Sequence, residues 1–488
     1  MRFNSIASTG LLVSLSSNPS ASIANSLILH EPRLENILWN FNKIAVDNGG
    51  NRAFGLPGYN ASLDFILERV VGRFGDKFDT FVQPFTHLFA TTHNISLTGP
   101  DGKEVKAVTL QYNNPTPLPD GVTAALVNVP IDDERGSGCF EDQWAGLNVE
   151  KKIALVKRGS CAIADKLRIA KGKGAVGAVL INNVAGPNIS SATLSGENYG
   201  DLAPVAVVTL EQGTGWWDQV QANQTVEVKL VVDATAEDRE TWQVISETKE
   251  GDANNVIMVG AHLDSVQAGP GVNDDGSGSA ALLEIAASVS KYTGYHNKLR
   301  FAWWGAEESG LVGSLYYVSQ LSEAELDAIR FYFNYDMIGS PEPFFHIYAD
   351  TDAHKTGGQI LFDYLEEQGR DVQYGSFGSS SDYLGFIEAG IPSSGIFTGA
   401  GAPQDPCYHT ACDDIDNVDW AALTVNTKAA GRALASLALD ASRVPPRDKT
   451  SVNPASRRGV ARSLTKWKRV ALGLDKRHSC ARDRKSTI

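Results

Sequence analysis

Two histidines and a group of carboxylates in the second half of this 488-residue chain are spaced as metal chemistry would need them. His262 and Asp264 stand in Gly260-Ala261-His262-Leu263-Asp264-Ser265, directly after the apolar run Val256–Gly260. On a strand the two would share a face, which would let the Asp264 carboxylate orient the imidazole from behind a metal. Asp274 and Asp275 follow in Gly271-Val272-Asn273-Asp274-Asp275-Gly276-Ser277-Gly278, a loop that leads into a helix. Glu307 and Glu308 end the very apolar segment that contains Trp303 and Trp304. Asp336 closes another such segment, Phe331 to Tyr335. His409 lies in Pro406-Cys407-Tyr408-His409-Thr410-Ala411-Cys412-Asp413, a small loop that a Cys407–Cys412 bond would stiffen.

Each segment alone has an ordinary structural explanation: a histidine in a turn, a helix cap, solvated acids, a braced surface loop. All five in one unit and in this order do not. Two imidazoles and several carboxylates match the N/O preference of zinc, and a carboxylate can bridge two ions. Adjacent glutamates cannot easily do the same job, so one can bind metal while the other stays free as a general base. No Gly-X-Ser-X-Gly elbow is present, which argues against a serine hydrolase.

The segments that must position these groups alternate in character. From Thr241 onward, near-continuous apolar runs (256–260, 299–304 and 331–335) are separated by the helical stretches 280–292 and 322–328. That alternation predicts a doubly wound α/β sheet whose ligand site lies beyond the carboxyl ends of its strands. Residues 31–75 carry helical stripes such as Leu34, Ile37, Leu38, Phe41 and Ile44, and 78–97 reads as strand. Between about 105 and 233 the texture changes to short β-rich runs broken by Gly, Pro and Asn, with one helix, 163–172. That stretch holds no cluster of His and carboxylates, so binding or shielding is its expected role.

Composition narrows the setting. The chain is 42% apolar and 20% charged, ordinary for a folded α/β protein, and its net charge of −14 argues against nucleic acid as a general partner. From Arg443 to the end there are 14 Lys and Arg against 3 Asp, a basic tail expected to lie outside the fold. Residues 1–24 read as a weak, Ser-rich signal peptide ending in Ser22-Ile23-Ala24, and no later segment is apolar enough to span a membrane. Asn60, Asn94, Asn188 and Asn223 each head an N-glycosylation sequon. The five cysteines are paired as Cys139–Cys161 and Cys407–Cys412 with Cys480 left over, as an oxidising compartment permits.

Taken together these segments resemble the zinc aminopeptidases of the M28 peptidase family, in particular the secreted or vacuolar aminopeptidase Y type. The likeness spans about residues 30–440. Within it, the stretch 105–233 is similar to that type's inserted protease-associated (PA) domain, with Val156-Lys157-Arg158-Gly159-Ser160-Cys161 close to the PA pattern. The resemblance implies a mixed, doubly wound peptidase domain built from 25–104 and 234–442 around that insert. It implies two zinc ions, with His262, Glu308, Asp336 and His409 as terminal ligands and Asp274 bridging. Asp264 would orient His262, Glu307 would be the general base, and Tyr408 would help stabilise the oxyanion. The implied substrates are peptides with a free N-terminus, cut by a monomer. The rivals that keep the same scaffold are a zinc carboxypeptidase, which would need a basic patch for the terminal carboxylate, a glutaminyl cyclase sharing the metal constellation, and a non-catalytic binding protein, whose mark would be a lost ligand or base. No ligand or base is lost here.

Overall fold

A computed structural model describes residues 31–186, 188–189 and 192–450. Helices α1 (Glu31–Asp47) and α2 (Pro57–Val70) precede the long strand β1 (Phe78–Thr98). The insert follows with β2 (Glu104–Val105), β3 (Val122–Asn128), β4 (Ile153–Lys157), α3 (Ile163–Gly172), β5 (Gly177–Ile181), β6 (Val205–Val208) and α4 (Leu210–Gln221). The chain returns along β7 (Glu227–Thr248) and then alternates through β8 (Asp252–His262), α5 (Gly276–Val289) and β9 (Asn297–Trp304). Next come α6 (Val312–Gln320), α7 (Glu323–Ala328), β10 (Ile329–Tyr335), β11 (Phe345–Tyr348) and α8 (Asp352–Glu367). The last elements are β12 (Val372–Gly375), α9 (Leu384–Glu388), β13 (Ser393–Phe397) and α10 (Trp420–Leu439).

The packing of the central strands explains why their carboxyl-terminal halves are so apolar. Along β8, Ile257, Val259 and Ala261 enter the core under α1, α5 and α10, while Val256 and Met258 enter the core on the opposite face. Along β9, Phe301 and Trp303 go one way, and Ala302 and Trp304 the other. Period-2 alternation between two buried faces leaves few polar positions in the carboxyl-terminal halves of these strands, and each fully buried large side chain contributes about 1.5–3 kcal/mol. Strands β9, β8, β10 and β13 are mutually parallel neighbours, so their carboxyl ends open on one edge of the sheet.

The insert is joined by a ribbon. Strands β1 and β7 pair antiparallel from Phe78↔Thr248 out to Thr98↔Lys229. There β3 pairs with β7 through Val122–Ala125 and with β4 through Leu126–Asn128, handing the sheet over to the parallel set β3-β4-β5-β6. Leu88 and Ala90 on β1 already pack in the insert's own core. Among the described residues the insert has two α-helices rather than the one expected. Helix α4 escaped because Gly213 and Gly215 dilute its apolar pattern. At Gly213 a Cβ would come within 2.6 Å of Ile181, so the helix lies directly on β5.

The basic tail also departs from expectation at its start. Arg447 is buried, with Nε donating to Asp327 at 2.9 Å, Nη1 donating to the Ala389 carbonyl at 3.2 Å and Nη2 bonded to Glu323. The Asp448 N–H donates to the Gly390 carbonyl at 2.8 Å. A guanidinium carries five donors, so a basic residue can be docked as firmly as an apolar one. The expected signal segment, Cys480 and residues 451–488 lie outside the described residues.

One buried cation ties the N-terminal helices to the sheet edge. Arg52, between α1 and α2, donates from Nε to the Pro270 carbonyl at 2.9 Å, from Nη2 to the Gly271 carbonyl at 2.5 Å and from Nη1 to the Leu263 carbonyl. Its own N–H donates to Ser265 Oγ at 2.9 Å, and its guanidinium lies over the Phe41 ring. Arg52→Met should leave the buried Leu263 and Pro270 carbonyls unpaired, with Gly271 keeping only its bond from the Gly276 N–H, and destabilise the fold by about 3 kcal/mol in urea melts. Arg52→Lys should recover less than half of this, because one ammonium cannot reproduce the fork. An unchanged melting midpoint in the Met variant would sink this account.

Candidate metal centre

The parallel strand ends deliver the titratable groups to one place. His262 is the last residue of β8, Asp336 directly follows β10, and Glu307 and Glu308 follow β9 after the short turn Gly305-Ala306. Asp274 lies in the loop before α5, and His409 in the loop after β13. Two groups result, His262 with Asp274 and Asp336, and His409 with Asp274 and Glu308. Asp274 belongs to both. Its Oδ1 is 3.1 Å from His262 Nε2, and its Oδ2 is 3.1 Å from His409 Nε2. Asp336 Oδ1 lies 3.6 Å from His262 Nε2, and Glu308 Oε2 lies 3.0 Å from His409 Nε2. Glu307 stands just outside, 4.0 Å from His262 Nε2.

The electrostatics call for added cations. Asp264, Asp274, Asp275, Glu307, Glu308 and Asp382 are all buried or nearly so around two imidazoles. Burial disfavours a charged His262, yet the Glu307 and Asp336 carboxylates outweigh it and hold its pKa well above the ordinary histidine value. His409 is pushed the same way against burial, by Glu308 and Asp274. In the protein alone, protons must supply the positive charge. Divalent ions would supply it better, because Asp336 Oδ1 and Glu308 Oε1 are buried with no hydrogen-bond donor. Donor atoms 3.0–3.6 Å apart also suit a tetrahedral zinc ion, whose ligands at ~2.1 Å stand about 3.4 Å from each other. The residues present fit zinc.

Supporting contacts fix this arrangement, and one differs from the sequence expectation. The strand ends at His262, so Asp264 does not share its face. His262 Nδ1 donates instead to the Asp264 main-chain carbonyl at 3.0 Å, while the Asp264 carboxylate is 3.8 Å from that nitrogen. The carboxylate accepts from the main-chain N–H groups of Glu307 at 3.1 Å and Glu308 at 3.3 Å. Asp264 therefore orients the histidine with its backbone and the glutamate pair with its side chain. Burial, opposed by His262, pushes its pKa up to about 7.

Four further residues carry signals that the sequence did not separate from ordinary loop chemistry. Asp275 caps α5 by accepting from the Gly278 N–H at 2.8 Å, and it also accepts from the N–H groups of His262 at 3.1 Å and Met337 at 3.3 Å. The Asp274-Asp275 loop thus serves as helix cap and candidate ligand at once. Asp413 accepts from the N–H groups of Asn273 at 2.9 Å and Asp274 at 3.0 Å. Ser381 donates to Asp336 Oδ2 at 2.6 Å and accepts from Asn334 Nδ2 at 2.8 Å. Arg52 is the fourth; only its distance in sequence hid it.

The Cys407–Cys412 and Cys139–Cys161 disulfides are both formed. The first closes the loop that presents His409, whose φ of +59° is left-handed; Ala306 (+57°) before Glu307 and Met337 (+53°) after Asp336 share that conformation. Left-handed non-glycine residues cost about 1–3 kcal/mol each and persist where the surroundings hold them, as at sites that must aim side chains. The Tyr408 ring stacks on His409 at 3.8 Å. Burial, reinforced by the Asp274 and Glu308 carboxylates, raises the Tyr408 pKa well above the phenol value, so its hydroxyl remains a donor. Glu307 is raised well above the ordinary carboxylate range, first by burial, then by Asp382, Glu308 and Asp336 against the opposing pull of His262. The site opens into a cavity of about 800 Å3.

Comparison with known proteins agrees with this site. Residues 243–434 match the profile of Peptidase family M28, and residues 122–216 that of the PA domain. A probable leucine aminopeptidase 2 of Aspergillus oryzae is 35% identical over 426 residues, covering 82% of this chain and 83% of its own. An aminopeptidase of Pseudomonas aeruginosa is 35% identical over 460 residues, covering 87% and 83%. Among solved structures, the aminopeptidase from Aneurinibacillus sp. strain AM-1 superposes with a TM-score of 0.72 at 27% identity, over 85% of this chain and 95% of that one. A zinc aminopeptidase from Bacillus subtilis, at 24% identity and a TM-score of 0.66 over 87% and 99%, shares the fold. Sequence likeness thus runs through the peptidase sheet and the insert alike, and the chain belongs to peptidase family M28, as a zinc aminopeptidase carrying a PA domain.

Proposed function

We propose that the chain is a di-zinc aminopeptidase of the secretory pathway that removes a neutral, apolar N-terminal residue from peptides. The observation that carries the reading is Asp274, whose two oxygens face two different imidazoles, each with one further carboxylate. His262, Asp274 and Asp336 would hold one ion, and Asp274, Glu308 and His409 the other. Bound zinc supplies a water acidic enough to attack near neutral pH and an electrophile for the scissile carbonyl.

The protein's own groups do the rest. Glu307, a buried carboxylate with a raised pKa, is suited to take the proton of the attacking water and return it to the leaving amine. The Tyr408 hydroxyl, kept protonated, donates toward the oxygen on which charge develops. Among the described residues the cavity wall holds four carboxylates (Asp274, Glu307, Glu308 and Asp336) and no Lys or Arg. Such a wall offers no basic side chain as a dedicated partner for a terminal carboxylate, which weighs against the carboxypeptidase alternative. Leu311, Met337, Tyr348 and Phe397 also line it and suit an apolar side chain, in keeping with relatives named leucine aminopeptidases. Export is supported by the two disulfides and by exposed side chains at the sequons Asn60, Asn94 and Asn223. The chain retained inside cells with residues 1–24 still attached would refute export.

Two measurements test the chemistry. Glu307→Gln should lower kcat about 10²–10⁴-fold with zinc content unchanged, whereas Asp274→Ala should lose both zinc and activity. Equal zinc loss in both variants would remove the distinction between base and ligand. On a substrate panel, free leucyl peptides should be cut and N-acetylated ones left intact, with activity abolished by a chelator and restored by zinc. Cleavage of the blocked peptides, or activity after complete zinc removal, would overturn the proposal.

A further inference from the structure

The cavity at the metal centre has two chemically distinct parts. Its charged groups come from the peptidase loops, whereas Thr92, Thr109, Gln111 and Thr193 belong to the ribbon and the insert. With Ala90, Val108, Leu110 and Ala192 between them, these residues make a mixed polar and apolar wall that is uncharged among the described residues. At about 800 Å3 the cavity lies toward the upper end of the range for drug-sized ligands, more than one N-terminal residue at the metals requires.

The neutral wall is held rather than hinged. The Gln111 N–H donates to the Ala192 carbonyl at 2.9 Å, and its carbonyl accepts from the Leu194 N–H at 3.0 Å, so the main chain of this cavity-lining residue is fixed on both sides. Val108 and Val207 exchange both main-chain bonds at 2.9 Å, and Thr92 Oγ1 and Thr109 Oγ1 are hydrogen-bonded at 3.3 Å. The ribbon is pinned in turn to the catalytic loops. Gln267 Nε2 donates to the Ala90 carbonyl at 2.8 Å, and Arg239 Nη1 to the Gly55 carbonyl at 2.7 Å. Phe85 and Phe89 of β1 pack with Phe54 around Ala306, the residue directly before Glu307. The distance from the insert to the catalytic loop is therefore set by side-chain packing.

We infer that the insert supplies the binding subsite for substrate residues beyond the scissile bond, with Gln111 and Thr109 as its polar contacts. This rests on the aminopeptidase activity and assigns the insert a part in it. Amide and hydroxyl groups on a fixed wall can donate to and accept from the substrate's main chain and neutral side chains. Among the described residues the wall offers no charge of either sign, so it gives neither an acidic nor a basic substrate residue an ionic partner.

Charge placed at Gln111 tests the assignment in the full-length, zinc-loaded enzyme. Gln111→Glu and Gln111→Lys keep the main-chain pairing, and each is assayed on leucine amide and on leucyl tripeptides carrying Lys, Ala or Glu after the first residue. Leucine amide, which has no residue beyond the first, should keep its kcat/KM within about twofold in both variants. The tripeptides should diverge by at least about fivefold in opposite directions, the Glu variant favouring Lys-containing peptides and the Lys variant Glu-containing ones. The same substitutions at Gln221, exposed at the end of α4 and outside the cavity, should produce no such divergence. Tripeptide selectivity unchanged at Gln111, or an equal swing at Gln221, would overturn the assignment. A wild-type enzyme inactive on leucine amide and every tripeptide would instead refute the aminopeptidase reading.

Discussion

Asp274 holds the site together through an electrostatic constraint. A carboxylate buried between two imidazoles is tolerable only if both its oxygens find positive partners, and each has one at 3.1 Å. To present them so, the backbone at Asp274 is gripped by Asp413, the helix behind it starts from Asp275, and the loop before it is threaded by Arg52. None of these three residues lines the cavity. Each reduces the freedom of one carboxylate, and the ion pair it is suited to bind inherits that rigidity.

Much of this was legible because buried parallel strands impose a simple rule on sequence. A strand covered on both faces must be apolar to its end, so the first charged residue beyond it marks the sheet's open edge. His262 after Val259, Glu307 after Trp304 and Asp336 after Tyr335 all follow that rule, and an α/β fold with an insert could be read from the same runs. What was not legible depends on partners far away in sequence. Asp264 was expected to turn its side chain to His262; its carboxylate goes instead to Glu307 and Glu308, more than forty residues on. Arg52 reaches loops more than two hundred residues away. Helix α4 was hidden by two glycines, of which Gly213 is required by close packing on β5, and Arg447 by a basic context that reads as solvated tail.

Adjacent Glu307 and Glu308 show how a backbone separates two like side chains. Both are buried, but Glu308 reaches His409 while Glu307 stays 4.0 Å from His262. The left-handed turn at Ala306 begins the pair, and the Asp264 carboxylate receives both N–H groups, so the two side chains leave a fixed backbone in different directions. Had they shared one direction, mutual repulsion in a desolvated site would have left a single ionised group for two tasks.

The position of the insert follows from the same need for rigidity. Strands β1 and β7 could have ended at the sheet edge and carried a tethered module. They continue instead as a paired ribbon, and it is the middle of that ribbon that packs against the base-bearing loop, through Phe85, Phe89 and Ala306. Any rocking of the insert would have to break the Gln267 and Arg239 bonds and expose those aromatic rings, at a cost of about 1.5–3 kcal/mol for each ring uncovered. A module bound this tightly to the catalytic loop cannot act as a free lid. Its effect on turnover must come from the surface it presents to the cavity, and among the described residues that surface is uncharged.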